Sequence, residues 1–225
     1  MGRINYYING VSLRDYGIYV SAAKKLLSLP ERKAGISHSY DNEHGVSVDV
    51  NGYVKERKIT LNCFTDVKAT GSFVDGIMSF KKMLLEEGMF QLEVEVEGAQ
   101  KRLSYWCYLS GEIDVRAKYV GCRSVGTFDL VLVEPCPMKR VYFVATTSAD
   151  QVVELEFSDG SDHYYTVVWG DGETTESVAV GDVAQHRYET AGKYRLMVVG
   201  DVKDLSIVES GDNNTNINLE WNLFL

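Results

Sequence analysis

Residues 90–97 read Phe-Gln-Leu-Glu-Val-Glu-Val-Glu, an unbroken alternation of apolar and polar side chains. A period of two matches the pleat of a β-strand and no helix, so this stretch carries one apolar face and one acidic face. Val46-Ser-Val-Asp-Val repeats the pattern, and 164–169 and 193–199 are runs rich in β-branched and aromatic residues. Turn dipeptides punctuate them: Asn9-Gly10, Asn51-Gly52 and Gly98-Ala99. With 14 tyrosines and only 3 prolines in 225 residues, the chain reads as folded and mostly β.

One segment breaks the period of two. Ser72 and Asp75 have the spacing of a capping box, Phe73, Ile77, Phe80 and Leu84 follow at helical intervals, and Gly88 ends the series. This predicts one amphipathic helix over about 72–87, docked on a sheet. Before it, residues 46–50 and 55–64 pair as a long hairpin around Asn51-Gly52, while Pro30 leaves 22–35 irregular. After it, 90–97 and 103–109 make a second hairpin, and strands at 113–119 and 126–133 complete the unit. Pro135 and Pro137 cannot continue a central strand, so they divide the chain into domains 1–135 and 138–225. The short β runs at 140–145, 152–157, 164–169, 193–199 and 217–221 suit a β-sandwich.

Charge divides the chain at the same place. Residues 1–137 carry 17 basic and 17 acidic side chains and 138–225 carry 6 and 15, so the second half supplies the whole net charge of −9. Neither half offers the basic stripe that phosphate neutralisation requires, which disfavours specific nucleic-acid binding. No apolar h-region opens the chain and no 18-residue apolar run interrupts it, so export and membrane spanning are not expected.

Cys63, Cys107, Cys122 and Cys136 are far apart and read as buried thiols. His38, His44, His163 and His186 make no H-x-x-x-H pair. No metal, no cofactor and no catalytic residue is expected. Glu93, Glu95 and Glu97 share a strand face and read as a solvated acidic wall, because paired carboxylates in catalysis need a cleft and unequal surroundings. The acidic surplus around Asp159, Asp162, Asp171 and Asp182 has none of the spacing of an EF-hand Ca²⁺ loop.

The sharpest motif is Trp169-Gly170-Asp171-Gly172, followed by His186-Arg-Tyr188-Glu-Thr-Ala-Gly192-Lys-Tyr194. A Trp at a strand end plugs a sandwich core, Gly-Asp-Gly supplies positive-φ positions and an Asx-type bond, and Gly192 permits a close approach. Over 138–208 this resembles the PKD-like immunoglobulin-type domain, which pairs a W-G-D-G turn with a later H-x-Y-x-x-x-G-x-Y. The resemblance implies an accessory module that binds glycans or proteins, or serves as a spacer. Ala191 stands where that family commonly has proline, and the chain continues past the usual end, so its last strand is free to belong elsewhere.

The first half opens Tyr6-Tyr-Ile-Asn-Gly-Val-Ser-Leu-Arg-Asp-Tyr-Gly-Ile-Tyr-Val20 and later has Arg57-Lys-Ile-Thr-Leu61. Over about 1–135 these segments, and the order hairpin, capped helix, acidic hairpin, closing strands, resemble the distal tail proteins of phages. Residues 38–45 differ from the loop that the family often has before its long hairpin. The resemblance implies a tail-tube-like β-sandwich or barrel with one helix. It further implies a homo-oligomeric, hexameric hub between tail tube and baseplate in the virion tail, assembled in the host cytoplasm beside tail-tube and tail-fibre proteins. Val50, Asn51, Gly52 and Tyr53, at the tip of the expected hairpin, are the candidate ring interface. An acidic lumen would repel DNA in transit, with the Glu93, Glu95 and Glu97 row as a contributor. The alternative function is a non-catalytic surface module that contacts a glycan or protein through the PKD-like half.

Overall fold

The computed structural model describes residues 3–35, 37–39, 44–45, 47–48, 53–67, 70–120, 123–158, 163–212 and 215–223. The first half runs β1 (Ile4–Ile8), β2 (Val11–Ser12), a 3-10 turn (Leu13–Tyr16), β3 (Ile18–Lys24), β4 (Ser37–His38), β5 (Ser47–Val48), β6 (Arg57–Val67), α1 (Thr70–Glu87), β7 (Met89–Val96), β8 (Leu103–Leu109), β9 (Arg116–Val120) and β10 (Arg123–Glu134). The second runs β11 (Lys139–Thr146), β12 (Gln151–Ser158), β13 (Tyr165–Val168), β14 (Thr174–Val178), β15 (Val183–Tyr188), β16 (Lys193–Val199), β17 (Ser206–Gly211) and β18 (Thr215–Leu223). The protein is mostly β, with α1 its single α-helix among the described residues.

In the first half one antiparallel sheet has the order β2-β1-β7-β8-β10-β6-β3, with β9 also on β10. The β1–β2 turn is tight because Asn9 and Gly10 both take positive φ, 46° and 77°, as a two-residue hairpin of matching twist requires. Phe73, Ile77, Phe80 and Leu84 of α1 are buried against the sheet with Ile8, Ile18, Leu61, Phe90 and Leu130. Phe80 sits between the rings of Tyr16 and Phe128, at 5.6 and 6.5 Å. No helix among the described residues is long and apolar enough to cross a membrane.

In the second half a five-stranded sheet, β14-β13-β16-β11-β18, faces a three-stranded one, β15-β12-β17, as a β-sandwich. Its core packs Trp169, Tyr188, Phe157, Leu155 and Leu196 between the layers. The last strand, β18, pairs with β11 along the edge of the larger sheet. Pro135 and Pro137 lie in the short link between β10 and β11.

Two expectations change. Of the expected hairpin of 46–50 with 55–64, residues 46, 49 and 50 lie outside the described residues, and the described ones pair otherwise: β5 pairs with β4, Val54 bridges Arg32, and β6 lies between β3 and β10. Alternation specifies a strand and its faces but not its partner, and here β10 offers β6 eleven residues of continuous register. The turn residues Asn51 and Gly52 lie outside the described residues. The stretch 22–35 is also less irregular than Pro30 suggests, because β3 continues through Lys24.

Candidate functional site

The motif residues of the sandwich converge on one turn. Trp169 is 1% exposed, and its indole N–H donates to Thr175 Oγ1 at 2.9 Å. The His186 ring stacks on the indole at 4.9 Å and meets the edge of Tyr188 at 4.7 Å. Tyr188 in turn stacks on Tyr194 at 4.2 Å, and its hydroxyl donates to Trp169 O at 2.8 Å. The result is a row of four rings in which Trp169 and Tyr188 are buried and His186 and Tyr194 half-buried.

Asp171 holds the polar side of this turn. Its Oδ1 accepts the Glu173 N–H at 3.1 Å and its Oδ2 lies 2.7 Å from His186 Nε2. Partial burial works against its charge, but the hydrogen bonds from His186 and Glu173 outweigh it and hold the carboxyl below its ordinary range. Gly170 has φ +91° and its Cα faces the Arg195 backbone, where an added Cβ would sit 2.7 Å from Arg195 O. Gly172 has φ +106°, and Gly192 packs against the Tyr194 ring. Asp171 and His186 are thus engaged in fixing the turn. Asp182 accepts the Ala179 N–H, while Asp159 and Asp162 lie outside the described residues. Among the described residues no group of three or more His, Cys, Asp or Glu is placed to hold a metal ion.

The acidic row departs in part from the expected solvated wall: Glu97, just past β7, is exposed, whereas Glu95 is half-buried and Glu93 buried. Glu93 is 5% exposed, because the sandwich half covers this face of the sheet: Gln91 Nε2 donates to Arg195 O at 2.9 Å across the junction. Arg102 answers the burial, donating to Glu93 Oε2 at 3.2 Å and to Glu95 Oε1 at 2.5 Å while lying over the Tyr7 ring. Burial raises the Glu93 carboxyl, with Arg195 and Arg102 opposing it. A hydrogen bond from Tyr7 lowers Glu95. Neither carboxylate faces a lumen as a free charge. Periodicity signals that two faces differ, and cannot signal that a second sheet will cover the polar one.

The same junction contains a cluster that no sequence spacing announces. The β6–β10 register sets Arg57 opposite Glu134, and the guanidinium donates to Glu134 Oε2 through Nε at 2.7 Å and Nη2 at 2.5 Å. Lys139 Nζ donates to the other oxygen, and both cations lie over the Tyr105 ring. Glu134 is wholly buried, and Arg57 and Lys139 nearly so. Desolvation pushes the Lys139 ammonium below its ordinary value, against the pull of Glu134. From the other side β18 completes the contact: Trp221 Nε1 donates to Arg102 O at 2.8 Å, Lys101 lies over the Trp221 ring, and Arg195 pairs with Glu220 at 3.4 Å. Val141, Val168, Met197 and Val199 form an apolar cluster with Trp106 beneath.

Of the expected ring-interface residues, Val50, Asn51 and Gly52 lie outside the described residues, and Tyr53 is exposed. Cys63 and Cys107 are buried free thiols, Cys136 is half-buried, and Cys122 is outside the described residues.

No protein-family model matches the sequence, and no curated protein matches it. Among solved structures, the chain is similar to a chain of the phage p2 baseplate in its activated conformation with Sr. That similarity has a TM-score of 0.47 at 7% identity and covers 88% of this chain and 98% of the other.

Proposed function

We propose that the chain is a non-enzymatic structural component of a phage or prophage tail, forming a hexameric hub between tail tube and baseplate with its PKD-like half turned outward. The observation that carries the reading is where the residues behind the distal-tail resemblance lie. Tyr6, Ile8, Leu13, Ile18, Ile59 and Leu61 all belong to one buried core, closed by α1 and by β10 ending at Glu134. The resembling segments are therefore the framework of the first half.

Two further features support assembly. Strand β3 stands at the edge of the eight-stranded sheet, and α1 presents Val74, Met78 and Leu85 to solvent at 48%, 60% and 78% exposure. Ring closure hides strand edges and apolar faces of this kind. The acid–base side chains Asp171, His186, Glu93 and Glu95 are engaged in structural pairs. On this reading the partners are further copies of the chain, tail-tube protein and baseplate or tail-fibre proteins.

Negative-stain imaging of the purified full chain tests it, with closed six-fold rings as the expected result and a stable monomer at high concentration as the contrary one. Proline substitutions across 51–53 are expected to abolish the rings with circular dichroism unchanged, and undiminished rings would remove that segment from the interface.

A further inference from the structure

The junction between the halves holds a cleft, open to solvent on one side, with a volume of about 240 Å³. That is below the usual range for drug-sized ligands and suits a small molecule. Its walls are apolar and come from four places in the chain: Leu26 and Leu29 after β3, Leu103 of β8, Val141 of β11 and Trp221 of β18. Its lining also includes Arg57 and Lys139, whereas Glu134, which both cations share, is wholly buried and outside the lining.

The charges do not balance. Two buried cations meet one buried carboxylate, so the cluster carries one excess positive charge in a region from which water is largely removed. Among the described residues Lys139 Nζ donates only to Glu134, which leaves it donor capacity unused. An uncompensated buried charge is costly, and an anion within reach of it offsets that cost. A second observation points the same way. Ser104, 4% exposed, also lines the cleft and its hydroxyl has no hydrogen-bond partner among the described residues.

We propose that this cleft binds a small aliphatic carboxylic acid, with its carboxylate toward Lys139 and Arg57 and its alkyl chain against Leu26, Leu103 and Trp221. The aliphatic walls select the chain, and the excess cation selects the anionic head over a neutral one. The inference does not depend on the tail reading, since it rests on the junction alone.

Titration calorimetry of the full chain with octanoate and with octanol tests it. The expected result is saturable one-to-one binding of octanoate, with octanol at least tenfold weaker. Lys139→Met should bring octanoate to the affinity of octanol. Because that substitution also disturbs a buried pair, Leu29→Asp serves as a second variant: Leu29 is 73% exposed, so the fold tolerates the change while a carboxylate at the mouth repels the acid. At least a tenfold loss for octanoate in Leu29→Asp is expected, with octanol little affected and circular dichroism unchanged. No saturable heat at millimolar octanoate, equal binding of octanol, or full octanoate affinity in folded Leu29→Asp would each overturn the proposal.

Discussion

The sandwich turn and the junction are both built from buried polar groups, but they assemble over different distances along the chain. At the turn, Trp169 reaches Thr175 six residues away, Asp171 reaches His186 fifteen away, and Tyr188 reaches Trp169 nineteen away. At the junction, Arg57 and Glu134 are 77 residues apart, Gln91 and Arg195 are 104, and Trp221 and Arg102 are 119. A turn of the first kind fixes one corner of one sandwich. Arg57 and Glu134 both belong to the first half, but Lys139 on Glu134, Gln91 on Arg195 and Trp221 on Arg102 join residues of the two halves, so these contacts form only when both are folded and couple them into one body.

The difference predicts where damage spreads. Glu134→Gln leaves two buried cations without their shared counter-charge, a change expected to cost about 3–5 kcal/mol. Hydrogen exchange should then rise on both sides of the junction, in β6, β10 and β11. Exchange confined to one half would separate the cluster from the coupling. His186→Ala removes a stacked ring and a hydrogen bond, expected to cost about 2 kcal/mol. Its effect should stay within the sandwich, in β12, β13 and β15, and spread into β7 and β8 would break the comparison.

Acidity distinguishes the two regions by sign. Asp171 is depressed in the folded state, so its contribution is present above its unfolded value, about 3.9, and is lost as pH falls through the folded one. Glu93 is raised, so its contribution is full below about 4.3 and is lost as pH rises through the folded value. Denaturation midpoints measured from pH 3 upward should show a flatter acid limb in Asp171→Asn. In Glu93→Gln the loss of stability above pH 4 should flatten instead. Interchanged effects would contradict the assignment. The smallest expected effect is chemical: burial pushes the Cys63 thiol up to about 12 and raises Cys107 as well. Mass spectrometry after iodoacetamide at pH 8 should find both unmodified in the native protein and both modified after unfolding.

What the sequence made legible follows the same division. The buried face of α1 was readable because Phe73, Ile77, Phe80 and Leu84 repeat within a few turns, and the helix places all four in the core. The mostly β character was readable for the same reason, since a period of two is a local property. Arg57 and Glu134 gave no signal: each sits at a strand end as an ordinary charge, and only the register of β6 on β10 makes them partners. Glu93 reads as solvated from the local pattern because the half that covers this face, through contacts such as Gln91 to Arg195, lies more than 100 residues further along the chain. Likewise, the partner of β5 depended on β4, two residues with no pattern of their own.

With β18 and the Glu134 cluster coupling two halves that each have their own core, the chain should unfold as one cooperative body. Differential scanning calorimetry of the full chain tests it most directly. One transition, with calorimetric and van't Hoff enthalpies equal, is the predicted result, resolving into two in Glu134→Gln. Two separate transitions in the unaltered protein would contradict it.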